Sequence, residues 1–456
     1  MSTIKKYAVA FPHFRIADTT LHPRVRSKGN HVVCYTDEDI MTLAFEACSQ
    51  LQLASTGVDA ILFASTTPVF KERYHASFLA DLLELPQGIL AFDFGGTSRA
   101  GTDALLLADT LVKSGAYKNV LLVAANVYYP AIGKETTTPF GHAAVALLIS
   151  NEDGIAEIND CKSFSAAIAE DFSYKGDNIQ YDARFARTAG FVSNMATVMK
   201  KSNLNPTTVD ALFLNSPYAK LAFGSLKKAG FNLETQLLKD TITPTVGYTG
   251  ACHGLLQLIS AIENRKGATL LFDYMNGTNL IRVTSTIEIS KPVLNNLLFE
   301  NVETYQDYLQ LRKQGNFESR GYAAHEMFSS EMMQEREKDH LVYLKGYECS
   351  SCGTVYLMKA ERCNHCHKLD FKKKQLSKTG KVFTLTSEHY FPASFTPTNM
   401  VVIDLDGGGR ISVQQTDDMF QNEKTILKIG DGVRLVYRKM MENDKKPNYF
   451  WKCKKI

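Results

Sequence analysis

The sequence predicts a layered α/β domain that runs on into a pair of metal-binding knuckles and a small β-barrel, and three observations carry that expectation. Short apolar runs alternate with amphipathic stretches from residue 1 to about 295. Four cysteines, Cys349, Cys352, Cys363 and Cys366, form two C-x-x-C pairs separated by ten residues. Beyond them, short strand-like runs are joined by turn-forming glycines.

In the first region, Ala60–Ser65, Val120–Ala125, Ala144–Ser150 and Leu212–Asn215 read as buried strands, because continuous apolar runs of this length suit strands covered on both faces. Between them, Asp37–Leu53, Ala76–Leu85, Gly101–Ser114 and Ala219–Gly230 carry helical periodicity, the last stopped by a glycine after two lysines. Strand then helix, repeated, argues a layered α/β architecture for residues 1–295. Residues 296–345 turn charged and polar at helical spacing and predict a helical connector.

The cysteine quartet defines residues 346–372. Two knuckles at this spacing place four soft thiolates where two short hairpins can close a tetrahedron, the geometry of a structural zinc ion. With all four positions filled by protein, such an ion holds a fold and leaves no place for water or substrate. A redox dithiol or a disulfide pair is the alternative, and His365 or His367 could replace a cysteine. In residues 373–456, Gly380–Thr386, Met400–Leu405, Arg410–Val413 and Gly432–Arg438 read as short strands, with the turn D-L-D-G-G-G-R between two of them. They predict a small β-barrel.

A net charge of +3 and 22% charged residues give no electrostatic case for nucleic acid. The N-terminus M-S-T-I-K-K-Y-A-V-A lacks the apolar core of a signal peptide, and no run of about 18 apolar residues is present to span a bilayer. The remaining cysteines, Cys34, Cys48, Cys161, Cys252 and Cys453, are scattered and odd in number, which suits a reducing compartment. The expected location is cytoplasmic.

The C-terminal motifs carry a resemblance. Y-E-C-S-S-C-G-T-V-Y, C-N-H-C-H, G-K-V-F-T-L-T, T-P-T-N-M-V-V-I-D-L-D-G-G-G-R-I and I-G-D-G-V-R-L-V-Y resemble the rubredoxin-like zinc ribbon plus OB-fold domain that accompanies thiolase-superfamily enzymes, over roughly residues 318–445. That resemblance implies coenzyme A or pantetheine chemistry instead of oligonucleotide binding.

The first 295 residues are similar to the thiolase superfamily, specifically to hydroxymethylglutaryl-CoA synthase and ketoacyl-acyl-carrier-protein synthase III. The motifs run in order: Y-T-D-E-D-I-M-T-L-A-F-E-A, A-S-T-T-P, F-G-G-T-S-R-A-G-T-D-A-L, F-G-H-A-A-V-A-L-L-I, N-S-P-Y-A-K-L-A-F-G-S-L-K-K-A-G and V-G-Y-T-G-A-C-H-G. The set is specific where each single motif is not. It implies a five-layer α-β-α-β-α fold built from two halves meeting near residue 160. It also implies a homodimer, and an acyl-CoA or acyl-carrier-protein thioester as substrate.

In that family a nucleophilic cysteine at a helix N-terminus works with a histidine and an asparagine or glutamate. This chain departs at each place. Ser98 stands in the cysteine position, Asn215 in that of the histidine, Tyr248 in that of the asparagine, and A-S-T-T-P offers no glutamate. A serine without an adjacent base is a poor nucleophile. His142, His253 and Tyr248 are the candidates that could restore activity, each histidine being otherwise a structural one with a satisfied N–H. Lys220 matches a lysine near the coenzyme A entrance and reads as a phosphate contact or a solvated lysine, and Cys252 reads as a small buried residue. Two functions follow: an acyltransferase or synthase that makes or breaks a carbon–carbon bond at a non-standard site, or a non-catalytic subunit supporting a second, catalytically complete thiolase-like enzyme.

Overall fold

The structure is a computed structural model and describes residues 1–456 except 54–55, 169–170, 175–176, 181, 265–266, 313–334, 390–394, 396, 421 and 443–446. Most of the connector's middle, residues 313–334, therefore lies outside the described residues. The chain divides into two compact units, one of residues 1–33 and 43–303, the other of 34–42 and 304–456. The first unit is thus discontinuous, a division that the linear reading of residues 1–295 did not contain.

The first unit is built on a nine-stranded mixed sheet. Its strands in chain order are β1 (Thr3–Ala10), β4 (Ala60–Ala64), β5 (Leu90–Phe94), β6 (Asn119–Asn126), β7 (Ala143–Ser150), β8 (Ala156–Ser165), β9 (Ala211–Asn215), β10 (Ala268–Tyr274) and β11 (Gly277–Ser285). The labels β2 (Phe14–Ala17) and β3 (Asn30–Val33) belong to two strands of a smaller sheet. The spatial order is β9-β10-β11-β8-β1-β7-β6-β4-β5, and the two halves meet where β1 touches β8 at only Thr3↔Glu157 and Ile4↔Ala156. Every residue of β4, β6 and β7 is buried, which is why each reads as an unbroken apolar run.

Helices α1 (Ile40–Gln50), α2 (His75–Leu82), α3 (Ala100–Lys113), α4 (Ser193–Lys201), α5 (Phe223–Lys228) and α6 (His253–Asn264) complete the layers. α3 packs on β4, β5, β6 and β7 of one half, α6 on β9, β10 and β11 of the other, and the two helices pack on each other. Their buried faces, among them Ala104, Leu105, Ala108, Leu255, Leu256 and Ile259, belong to one hydrophobic cluster that also takes in strand residues of both halves. Burying such side chains stabilises by about 1.5–3 kcal/mol each for the larger ones. The helical expectation for Ala219–Gly230 resolves into a short 3-10 turn, Ala219–Ala222, followed by the six residues of α5.

The second unit holds two sheets. A three-stranded one joins β12 (Lys345–Cys349), β13 (Val355–Tyr356) and β14 (Phe371–Gln375). A five-stranded antiparallel one runs in the order β17 (Arg410–Gln414), β16 (Thr398–Leu405), β15 (Thr379–Glu388), β18 (Gly432–Glu442) and β19 (Pro447–Lys455). A parallel bridge, Gln415↔Cys453, links the residue after the first of these strands to the last.

Residues 34–42 contribute a buried ionic cluster to this unit. Arg438 Nη2 lies 2.8 Å from Glu38, Lys452 Nζ lies 2.8 Å from Asp37, and Tyr449 donates to Asp39 at 2.8 Å. All of these side chains are buried, and loss of solvation raises the Glu38 carboxyl to about 7 even with Arg438 beside it. Buried pairs of this kind fix a segment's place more than they add net stability, because desolvation offsets much of the attraction. Among the described residues, no helix is long and apolar enough to cross a membrane.

Candidate functional site

Ser98 closes the turn between β5 and α3. The turn needs Gly96 at φ 90°, and the backbone N–H of Arg99 then donates to Thr97 Oγ1 at 3.2 Å as the helix begins. Ser98 is half-buried and stands just before a 14-residue helix, whose dipole favours negative charge there.

Tyr248 reaches it from the turn before α6. Gly247 makes that turn possible: its φ is 86°, and a Cβ there would lie 1.9 Å from the Phe140 carbonyl oxygen. The motifs V-G-Y and F-G-H therefore meet backbone to backbone. The Tyr248 hydroxyl donates to Ser98 Oγ at 3.0 Å. Lost solvation, with the charge of Asp273 acting in the same direction, pushes the phenol up to about 12, while hydrogen bonds with Ser98 and Asn215 pull it down. At neutral pH the phenol keeps its proton and is a donor.

Asn215, at the end of β9, acts on the Tyr248 phenol to lower its pKa and donates from Nδ2 to Asp273 Oδ1 at 2.8 Å. Asp273 was absent from the sequence expectation and is the centre of the site's buried half. Thr102 donates to its other oxygen at 2.5 Å. Asn279 Nδ2 bonds both Thr102 Oγ1, at 3.0 Å, and Asp103, at 2.7 Å. Asp273 is 2% exposed, and burial lifts its carboxyl to about 6 against the opposing effect of the Thr102 and Asn215 bonds and the Arg99 charge. An aspartate inside the apolar run T-L-L-F-D-Y is the signal that could have found it.

Of the expected residues, Ser98, Tyr248 and Asn215 come together. His253 is adjacent, its ring 4.7 Å from that of Tyr248, but Nε2 faces Asp240 at 3.0 Å and Nδ1 faces Thr249 Oγ1 at 3.3 Å. Burial raises the Asp240 carboxyl, yet the hydrogen bonds from His253 and Thr243 outweigh it and hold the group well below the usual aspartate range. His142 is fully buried and bonds the Tyr128 carbonyl at 3.0 Å, so its ring has the satisfied geometry of a structural histidine. Lys220 is exposed on its 3-10 turn. Cys252 is buried, its thiol 3.3 Å from the Ala143 carbonyl and pushed upward by lost solvation, the opposite of an activated nucleophile.

In the second unit the sulfurs of Cys349, Cys352, Cys363 and Cys366 all lie within 4.8 Å of one another. Each knuckle closes by the same bond: Gly353 N–H donates to Cys349 O at 2.9 Å, and His367 N–H to Cys363 O at 2.8 Å. Sulfur separations of 3.5 Å for Cys349–Cys366 and Cys352–Cys363 are far from a disulfide and close to the spacing of thiolates around a tetrahedral ion. His365 and His367 are exposed and outside the cluster. The donor set fits a metal ion.

An ionised Asp273 works against folding. Its carboxyl rises from 3.8 to about 6 in the folded chain, so its favourable contribution is full below 3.8 and is lost as pH rises through 6. Between pH 4 and 7.5, the stability of Asp273→Asn relative to wild type is expected to shift in the variant's favour by about 3 kcal/mol. Thermal unfolding midpoints across that range measure it, and a difference independent of pH would contradict it.

The model of the family 3-oxoacyl-[acyl-carrier-protein] synthase III matches residues 92–166, which contain the Ser98 turn and α3. A hydroxymethylglutaryl-CoA synthase from Methanosphaera stadtmanae is 23% identical over 339 residues, covering 69% of this chain and 98% of that relative. MvaS in complex with 3-hydroxy-3-methylglutaryl coenzyme A aligns with a TM-score of 0.56 at 16% identity, over 68% of this chain and 91% of that one. The HMG synthase of the curacin biosynthetic pathway, in complex with acetyl donor-ACP, aligns at 0.54 and 16% over 62% and 80%. The chain is similar to these condensing enzymes, and it has a mixed α/β thiolase-like fold.

Proposed function

We propose that the protein handles an acyl thioester, of coenzyme A or an acyl-carrier protein, and makes or breaks a carbon–carbon bond or transfers an acyl group without a cysteine intermediate. The observation that carries this reading is the Tyr248 hydroxyl on Ser98 Oγ at the N-terminus of α3. A thioester carbonyl placed over that turn would receive the phenol's hydrogen bond together with helix N–H groups, which stabilises the oxyanion or enolate that forms in the reaction. Among the described residues Ser98 meets the Tyr248 phenol and no base that would ionise it, and Asn215 cannot serve as one. This same lack of a base favours a second reading, a non-catalytic subunit that supports a catalytically complete thiolase-like partner. Lys220 would meet the coenzyme A phosphates, and His253 would support Tyr248 through their ring contact.

With an acyl-CoA substrate, Ser98→Ala is expected to keep turnover within about tenfold, whereas Tyr248→Phe should lose on the order of 100-fold or more. Intact-mass spectrometry should find no acyl adduct. An adduct that vanishes in Ser98→Ala, or full activity in Tyr248→Phe, would overturn the donor role. Wild type inert toward a range of acyl thioesters would leave the subunit reading.

The cysteine quartet is proposed to hold a structural zinc ion in a ribbon of residues 346–372, followed by an OB-fold barrel of residues 373–456. The thiols would stay reduced in the cytoplasm. One zinc per chain is expected by metal analysis of protein purified without chelators, and Cys349→Ser or Cys366→Ser should lose it and unfold the ribbon. Metal-free wild type with an intact ribbon would refute this.

A homodimer is proposed through β5, the last strand of the nine-stranded sheet. Its Phe92 is 41% exposed and packs edge-on to an exposed Tyr74, and an unpaired apolar edge of this kind favours pairing with a second copy. Light scattering at micromolar concentration should return twice 50.8 kDa, and a monomer mass would count against it.

A further inference from the structure

Asp273 is served by every element around it. β9 supplies the Asn215 amide, α3 supplies Thr102, and α6 makes room by carrying a glycine at 254, where a Cβ would lie 2.8 Å from Asp273 Oδ2. Across the strand pair, Asp273 stands opposite Asn279, which is itself bonded to Thr102 and Asp103.

We infer that Asp273 is the positioning residue of the Ser98–Tyr248 pair: its carboxylate fixes the Asn215 amide, and Asn215 in turn holds the Tyr248 phenol on Ser98. Hydrogen bonds run Thr102–Asp273–Asn215 at the buried end and Tyr248–Ser98 at the half-open end, with Asn215 acting on the phenol between them. Once Asn215 Nδ2 has bonded Oδ1, rotation of the amide would place its carbonyl oxygen against the carboxylate, so the orientation of Asn215 is locked while Asp273 is ionised. The negative charge also acts on Tyr248 directly, supporting burial in keeping the phenol protonated. The charged and titratable groups facing Asp273 are Arg99 and Asp103 from α3 and Tyr248 from the turn before α6. The Arg99 guanidinium favours the carboxylate and Asp103 opposes it. With the carboxyl lifted to about 6, the charge that strengthens this lock is present at pH 7.5 and is lost as Asp273 takes up a proton toward pH 5.

This inference rests on the acyl-thioester reading only for the choice of probe, acetyl-CoA. Crystal structures of full-length wild type and Asp273→Asn at pH 7.5 are expected to show Tyr248 on Ser98 in the first and displaced in the second. Calorimetry should find acetyl-CoA bound about tenfold more weakly by Asp273→Asn at pH 7.5, the scale of one charge-assisted hydrogen bond. Wild-type affinity should fall between pH 7 and 5 while that of Asp273→Asn stays level. If Asp273→Asn does not fold, Asn215→Ala cuts the same link and should displace the phenol equally. A phenol that keeps its bond to Ser98 within about 3.2 Å in the variant would overturn the inference. So would parallel pH profiles. Wild type that binds no acetyl-CoA would instead remove the acyl-thioester reading, and the position of Tyr248 would still decide the role of Asp273.

Discussion

Burial of the Asp273 carboxylate is the constraint around which the first unit is arranged. A carboxylate withdrawn from water costs several kcal/mol unless donors surround it. The donors come from elements far apart in sequence, Thr102 on α3 and Asn215 on β9, and α6 contributes the absence of a side chain at Gly254. Satisfying one charge therefore fixes two helices and two strands relative to one another. Ser98 lies in the turn that leads into α3 and Tyr248 in the turn that leads into α6, so the same condition bears on the distance between these two side chains. The hydrophobic cluster shared by the helices supplies the driving force for their packing, but apolar contact alone tolerates sliding. The carboxylate and its donors select one register.

The second unit solves a related problem with the opposite economy of material. Its three-stranded sheet has few buried apolar side chains among the described residues, and the four cysteine sulfurs within 4.8 Å of one another would take the place of a core if they held a metal. Its larger sheet is instead anchored by charges. Arg438 on β18 and Lys452 on β19 face Asp37 and Glu38, which belong to a nine-residue segment from the N-terminal part of the chain. Opening such a cluster would leave Arg438 or Glu38 buried without its partner, a penalty of about 3–5 kcal/mol, so the segment is held more by the cost of release than by the gain of binding.

Much of this architecture was legible in the sequence. β4, β6, β7 and β9 announce themselves as apolar runs because both of their faces are covered, and α3 follows from its periodicity after a glycine turn. The knuckles are legible because ligand spacing is local. What stayed hidden depends on contacts distant in the chain. Y-T-D-E-D reads as the polar lead-in to α1, yet Asp37, Glu38 and Asp39 are buried against partners around residues 438–452. Asp273 reads as one polar residue in a strand, and its importance appears only when Thr102, Asn215 and Gly254 converge on it. The partners of the histidines are hidden for the same reason: His142 bonds a backbone carbonyl and His253 faces Asp240, contacts that no local pattern reveals.

The departures from the resembled thiolase pattern form a consistent set when considered as electrostatics. A thiolate nucleophile needs positive potential, from a helix N-terminus and an imidazole or its equivalent. In this chain the imidazole position holds neutral Asn215, and behind it lies a carboxylate whose charge is felt at Tyr248. Negative potential at the phenol, 3.0 Å from Ser98 Oγ, raises the cost of forming an alkoxide there, so the carboxylate that keeps Tyr248 protonated also works against Ser98 becoming a nucleophile. A neutral phenol loses nothing by this: it remains a donor across the whole physiological range and can strengthen its bond when a carbonyl oxygen gains charge. Serine fits the same logic, since its small hydroxyl can accept the phenol's proton bond and leave the space above the helix N-terminus free. In the proposed reading, nucleophile, base and asparagine are exchanged for acceptor, amide and phenol, and each exchange would move the site from attacking a thioester toward stabilising the charge that forms on one.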